Sequence, residues 1–393
     1  MTRFSHFLFL GNTNFSGFAQ REHALAVGLA QRSYRVTYIE GMPSIAAKLQ
    51  RAIRSIASPH AIERGADASD LPPNLDVLTP PTVPTFSRSS ITPSFDQSLF
   101  HRWFKKIEQR FDWSSTILFV SLPHWWTGFL ERDVLSIPYI IYDKCDSLLV
   151  PSRTAETLEL MESAERRLMN DAKLITYSAR AMEGDLRKTA PPERLQFLPN
   201  AVSTEFIRWV EENPRSERRR KRVGFVGAVD QRWVDVNLIL RLVRTLADAD
   251  FIFVGTVSRE VKNWFSTQSN VSFTGAVEHA EVARLMGSLD AAIIPFLKND
   301  ITRVVNPLKL YEYCAAGLPV VATETDELRH YAELVDLADN QREFIGKVTL
   351  ALGNNGVSTI VARKEFAKTN TWDQRVESLL GIIQRDLNGV LPA

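Results

Sequence analysis

Short runs of consecutive apolar residues alternate along this chain with longer segments in which apolar side chains recur every three or four positions. Phe7-Leu8-Phe9-Leu10 is the first run. A glycine-bearing loop follows, Gly11-Asn12-Thr13-Asn14-Phe15-Ser16-Gly17, and then residues 20–32, where Leu25, Ala26, Leu29 and Ala30 share a side. Continuous apolar runs suit parallel strands covered on both faces, and the three-to-four spacing suits amphipathic helices. Residues 36–40 restart the strand pattern, so the chain opens with a βαβ unit that lacks the GxGxxG of a dinucleotide site. Further strands are predicted at 75–78, 116–120, 137–142 and 173–178, with helices over 95–111, 156–170 and onward to Lys188. Between Ala57 and Pro93 the chain is rich in Pro, Ser and Asp and reads as an irregular crossing.

A charged stretch, residues 211–222, then interrupts the pattern and reads as a solvated linker. Strand signals resume at 223–229, 251–255, 270–277 and 291–296, with helices over 235–246 and 281–287 between them. Asn306-Pro307-Leu308-Lys309-Leu310-Tyr311-Glu312-Tyr313-Cys314-Ala315-Ala316-Gly317 reads as a helix stopped by glycine, and Val320-Val321-Ala322 as the buried strand after it. From Glu327 to Val390 the pattern is mostly helical. Repeated strand–helix alternation on either side of a linker predicts an α/β protein of two Rossmann-like domains, 1–208 and 223–370, joined by 209–222.

The composition agrees. At 393 residues the chain exceeds one ordinary core, and 45% hydrophobic with 24% charged residues is globular usage. A formal net charge of +1 provides no global field for nucleic acid, so none is expected as a partner. Cys145 and Cys314 lie in apolar surroundings without metal-type spacing, which argues against a disulfide framework and fits a reducing cytoplasm. No apolar run approaches the roughly 20 residues that span a bilayer. Residues 44–57 pattern as a basic amphipathic helix, with Ile45, Leu49, Ile53 and Ile56 opposite Lys48, Arg51 and Arg54. Such a helix can lie on anionic lipid or pack on a sheet, so the expected location is the cytosol or a membrane face.

The chemistry concentrates at the helix after Asn306. There Asn306 can cap, Pro307 suits the first turn, and an open helix start beside Lys309 favours an anion. Glu312 lies three residues on, where a carboxylate can grip sugar hydroxyls; a solvated Lys309–Glu312 ion pair is the plain alternative. Gly227 turns the chain sharply after its strand and opens backbone amides. Asp248-Ala249-Asp250 falls between helix and strand and reads as a turn rather than a metal motif.

The segment from Asn306 to Thr323, with the strand pattern from Val223, resembles glycosyltransferases of the two-domain GT-B type. The likeness is to family 4 (glycosyl transferases group 1), near bacterial exopolysaccharide glucuronosyltransferases. Leu198-Pro199-Asn200-Ala201-Val202 resembles that family's PNGV turn, with Ala201 in place of Gly. The resemblance implies two Rossmann-like domains facing each other across a cleft, with a last helix, begun at Thr371-Trp372-Asp373-Gln374-Arg375, returning 371–393 to the first domain. It also implies a nucleotide-sugar donor, most simply a UDP-sugar, and a glycan or lipid-linked acceptor in cell-surface polysaccharide synthesis, with no metal and no cofactor.

Carried over residue by residue, Lys309 meets the donor diphosphate, Glu312 holds the ribose, and Asp143 takes the acceptor proton; by its charge Arg303 can add to the neutralisation of the diphosphate. Asp146 reads as a cap or ion pair. Gly11, Asn12, Gly17 and His23 fall on the acceptor side, as does Trp125 of the pair Trp125-Trp126, which can stack on a sugar or lipid. Val304 stands where retaining members carry a Glu, so stereochemistry stays open; Arg303 can alternatively face the carboxylate of a uronic acid donor. Nucleotide-sugar epimerases share the architecture, and a non-catalytic sugar-nucleotide binder in an assembly complex is the reading from another class.

Overall fold

The computed structural model describes residues 4–15, 20–41, 71–81, 93–126, 137–148, 155–214, 219–353 and 357–389. Gly17 and the basic stretch 44–57 lie outside them. The chain divides into two compact units.

The first unit comprises Met1–Ser178, Met182–Leu198 and Val376–Ala393. Its strands are β1 (His6–Leu10), β2 (Arg35–Ile39), β3 (Leu75–Leu78), β4 (Thr116–Val120), β5 (Tyr139–Lys144), β6 (Leu174–Tyr177) and β7 (Leu195–Phe197). All pair in parallel in the order β3-β2-β1-β4-β5-β6-β7. Helices α1 (Arg21–Gln31), α2 (Pro93–Ile107), α3 (Ala155–Asp171) and α4 (Glu183–Leu186) connect them. The chain reverses its direction of travel across the sheet between β1 and β4, and in open α/β sheets the carboxyl edge beside such a reversal is where ligands gather. His6 staples the middle of the sheet: its ring nitrogens lie 3.0 Å from Thr116 Oγ1 and 3.0 Å from Thr37 Oγ1. Burial, with Arg35 nearby, lowers its pKa to about 4, so the ring is neutral.

The second unit is Pro199–Arg375 with Ala179–Ala181. Its sheet, β10-β9-β8-β11-β12-β13, is built from β8 (Arg222–Val226), β9 (Asp250–Val254), β10 (Val271–Gly275), β11 (Ala291–Ile294), β12 (Val320–Thr323) and β13 (Asp336–Ala338). Here the reversal falls between β8 and β11. Helices α5 (Thr204–Glu212), α6 (Val236–Thr245), α7 (Arg259–Trp264), α8 (His279–Met286), α9 (Leu308–Ala315), α10 (Gln341–Gly353) and α11 (Val357–Lys368) belong to this unit, while α12 (Trp372–Leu387) starts in it. The strands are apolar throughout because both faces are covered. Phe251 and Phe253 enter one core with Phe225, Ile293 and Val321, whereas Ile252 and Val254 enter the other with Ile294, Val320 and Ala322.

From Val376 onward α12 belongs to the first unit, where Arg32 Nε donates to Glu377 Oε1 at 2.6 Å. In three places the fold departs from the pattern read along the chain. Residues 209–212 complete α5 instead of opening a linker, because Phe206, Ile207 and Val210 are buried in the second core; that unit accordingly begins at Pro199. Asp336-Leu337-Ala338 is a strand inside a stretch read as helical, held by three parallel pairings to β12. And β5 runs on to Lys144, so Asp143 sits within the ladder opposite Thr176 rather than beyond the strand end.

Candidate active site

Helix α9 is pinned at both ends. At its C-terminus Gly317 takes φ +63°, the Gly317 amide donates to Cys314 O at 2.9 Å, and the Leu318 amide donates to Tyr313 O at 3.0 Å. This paired closure satisfies the last carbonyls and needs a left-handed residue. Tyr313 also ties the helix to β8, its hydroxyl accepting from the Val226 amide at 2.8 Å.

At the N-terminus the cap is not the expected one. Pro307, with φ −78° and ψ 124°, is the N-cap residue, and it has no side-chain cap hydrogen bond to give. Asn306 faces inward instead. Its Nδ2 donates to Glu327 Oε1 at 2.9 Å and Tyr331 OH at 2.6 Å, and its Oδ1 accepts from the Asn200 amide at 3.3 Å. Glu327 is fully buried, and burial raises its pKa although Asn306 and the Ala181 amide oppose the shift. Asn306 therefore anchors the approach to the helix.

Lys309 lies on the first turn and is half-buried. Its ammonium stands 4.3 Å from the Phe225 ring centroid and 5.6 Å from that of Phe296, which brings it to the ends of β8 and β11, where the strand order reverses. Gly227, at φ +124°, makes room: a Cβ there would meet Lys309 Nζ at 3.0 Å. Burial lowers the lysine pKa to about 8, and the charge of Glu312 works against that shift. No carboxylate among the described residues pairs with it. Glu312 is engaged elsewhere, its Oε1 2.7 Å from His279 Nε2, so the two residues do not form the surface ion pair that their spacing allowed. Burial opposes charge on His279, but the hydrogen bond and charge of Glu312, with Glu205, outweigh it and raise its pKa. Arg303 is half-exposed on the turn after β11, with Nη1 3.6 Å from Asp326 Oδ2, and Val304 beside it is buried. Asp250 of the D-x-D stretch pairs with Arg220 at 2.7 Å, a structural contact.

In the first unit the expected groups sit at the carboxyl edge but are mostly consumed. Asp143 is 1% exposed; its carboxylate accepts from Arg21 Nε at 2.8 Å, Arg21 Nη2 at 2.9 Å and Thr176 Oγ1 at 2.6 Å. Three donors leave no approach for an acceptor hydroxyl. Asp146, read as a cap or ion pair, instead has no ion-pair partner among the described residues and is exposed at the end of β5. The protein crowded round it and the negative charge of Glu22 raise its pKa, with Arg21 opposing. Trp125 and Trp126 are both fully buried, one donating to Gly11 O at 3.0 Å and the other to Asp171 Oδ2 at 2.7 Å, so neither offers a face for stacking. His23 is core as well, packed against Phe15 and Tyr38 at 4.5 and 5.2 Å. The Asn12 and Thr13 amides both donate to buried Glu22 at 2.9 Å, fixing the first loop.

Residues 220–353, the sheet and helices that carry Lys309 and Glu312, match the family described as Glycosyl transferases group 1. The chain has the two-sheet GT-B fold of glycosyltransferases, and its second unit carries the group 1 match. This glycosyltransferase is 29% identical over 273 residues to TuaH of Bacillus subtilis (strain 168), named for a glycosyltransferase of teichuronic acid biosynthesis; the match covers 63% of the chain and 68% of that protein. Among solved structures it shares its fold with sucrose-phosphate synthase from Thermosynechococcus elongatus (TM-score 0.73, 14% identity, 98% and 100% of the two chains covered). It shares the fold likewise with Alr3699/HepE from Anabaena, solved with UDP-glucose (TM-score 0.64, 13% identity, 96% and 99% covered). No helix among the described residues is long and apolar enough to cross a membrane.

Proposed function

We propose that this glycosyltransferase moves a sugar from a UDP-sugar to a glycan or lipid-linked acceptor in the synthesis of a cell-surface polysaccharide, without a metal ion. The observation that carries this reading is the Lys309 ammonium, held against Phe225 at the sheet's reversal point with no carboxylate of the described residues paired to it. A charge kept partly dry and unpaired awaits an anion. The α9 dipole points its positive end the same way, and the two together offset the charge that builds on a departing diphosphate. Glu312, with Oε2 clear of His279, takes the ribose hydroxyls. Arg303 stands on the donor side.

In the transfer step the bond from the anomeric carbon to the diphosphate oxygen breaks and the bond to the acceptor oxygen forms. The acceptor proton passes to Asp146, whose raised pKa and open carboxylate suit a general base better than the occupied Asp143. The likeness to TuaH and the complexes of HepE with UDP-glucose support the polysaccharide setting and the uridine donor.

Thermal unfolding of the protein with a panel of nucleotide sugars tests the reading. A UDP-sugar should raise the melting temperature of the wild type and not of Lys309→Met. Protection that survives in Lys309→Met removes the diphosphate role. Epimerisation of a UDP-sugar incubated without acceptor replaces transfer by epimerase chemistry.

A further inference from the structure

Glu312 is only 6% exposed and one of its two oxygens is already taken. The group that takes it is His279, first residue of α8, and that ring is itself fixed. It lies on Phe206 with centroids 4.7 Å apart and meets Trp209 edge-on at 6.1 Å, both from α5. A carboxylate in such a site without a partner would turn about its last torsion or be costly to bury. With Nε2 at 2.7 Å from Oε1, the plane of the carboxylate is set and Oε2 is the oxygen left to accept.

We infer that His279 is a positioning residue for the donor ribose: its Nε2, clamped between α5 and α9, orients Glu312 so that the nucleotide's ribose hydroxyls are recognised. The inference rests on the ribose role of Glu312 in the reading above. The aromatic bracket gives α5 a purpose beyond packing, since Phe206 and Trp209 decide where the imidazole stands. A wrongly turned carboxylate would still leave Lys309 and the helix start to hold the diphosphate. Loss of His279 therefore shows in ribose discrimination and donor KM, not in kcat.

The test compares Kd for UDP and 2′-deoxy-UDP in wild type, His279→Leu, His279→Gln and Glu312→Gln. His279→Leu keeps an apolar contact with Phe206 but no donor, and His279→Gln restores a donor near the position of Nε2. Wild type should prefer UDP by about tenfold, the worth of one charge-assisted hydrogen bond. His279→Leu should lose that preference at an unchanged melting temperature and raise donor KM about tenfold with kcat within about twofold, and His279→Gln should recover most of both. A wild type that binds the two nucleotides equally overturns the ribose reading itself. A wild type that discriminates, with His279→Leu discriminating as well while Glu312→Gln does not, overturns the positioning role alone. Should His279→Leu melt early, the Gln variant decides: discrimination lost despite a retained donor and a native melting temperature overturns it.

Discussion

Replacing Lys309 by methionine should make the resting protein more stable and remove its function. The structure holds the Lys309 ammonium at a pKa of about 8 instead of 10.5, so its charged form is disfavoured on folding. That difference sets a ceiling of about 3 kcal/mol on the penalty. Water on the open side of this half-buried residue and attraction to the Phe225 face reduce it, leaving roughly 1 kcal/mol at pH 7. Methionine has similar length, and its thioether can lie on Phe225. For a unit of this size about 1 kcal/mol corresponds to about 2–4 °C in melting temperature. Because the folded pKa is the lower one, the penalty is present in full below pH 8. It fades as pH rises from about 8 to 10.5, and the variant's advantage should vanish over that window.

Binding moves the other way. UDP at 100 times its Kd adds about 2.7 kcal/mol to the wild type, or about 5–10 °C, and almost nothing to the variant. Turnover should fall by the loss of about 2–4 kcal/mol of transition-state stabilisation, roughly 30- to 1000-fold in kcat/KM. In wild type, Kd for UDP should be flat below pH 8 and weaken about tenfold per pH unit above it, as the free protein must first regain its proton. Differential scanning calorimetry and titration calorimetry across pH 6.5–10 read all of this. A Lys309→Met protein that melts earlier at pH 7, or still gains stability from UDP, would show that the ammonium is structural and refute the argument.

Asp146→Asn should cut kcat by about 10²- to 10⁴-fold with an unchanged melting temperature, and wild-type kcat should fall with decreasing pH at a higher pH than an ordinary Asp would give. Arg21→Ala should cost about 3–5 kcal/mol in denaturant unfolding, since it strands the buried Asp143 carboxylate. Asp143→Asn that unfolds normally yet abolishes turnover would return the base role to Asp143. Gly317→Ala should destabilise by about 1–3 kcal/mol, because φ is +63° and the new Cβ would lie 2.9 Å from Ile360 Cγ2; an unchanged melting temperature would contradict this.

The strands and helices were legible where periodicity was strong. β1, α1 and the β8–β12 series follow from continuous apolar runs spaced by amphipathic ones. β13 was not, because Asp-Leu-Ala has no apolar alternation and owes its state to pairing with Val321, Ala322 and Thr323. The candidate site is half legible: the helix start points to Lys309 and Glu312, and the strand end points to Asp143, which the fold ties to Arg21 and Thr176. Nothing in the local sequence says that Arg21, 122 residues away, closes a bidentate clamp on Asp143. Nor does it say that His279 reaches Glu312.

The order of residues alone settles two α/β sheets, a glycine-stopped helix and an ammonium near that helix's start, because each depends on neighbours within a turn or a strand. Which of those charged groups stays available is a question of long-range packing. Partners far apart in sequence neutralise Asp143, turn Asn306 inward and bury Trp125, while the reversal between β8 and β11 holds Lys309 against Phe225 with no carboxylate of the described residues on it.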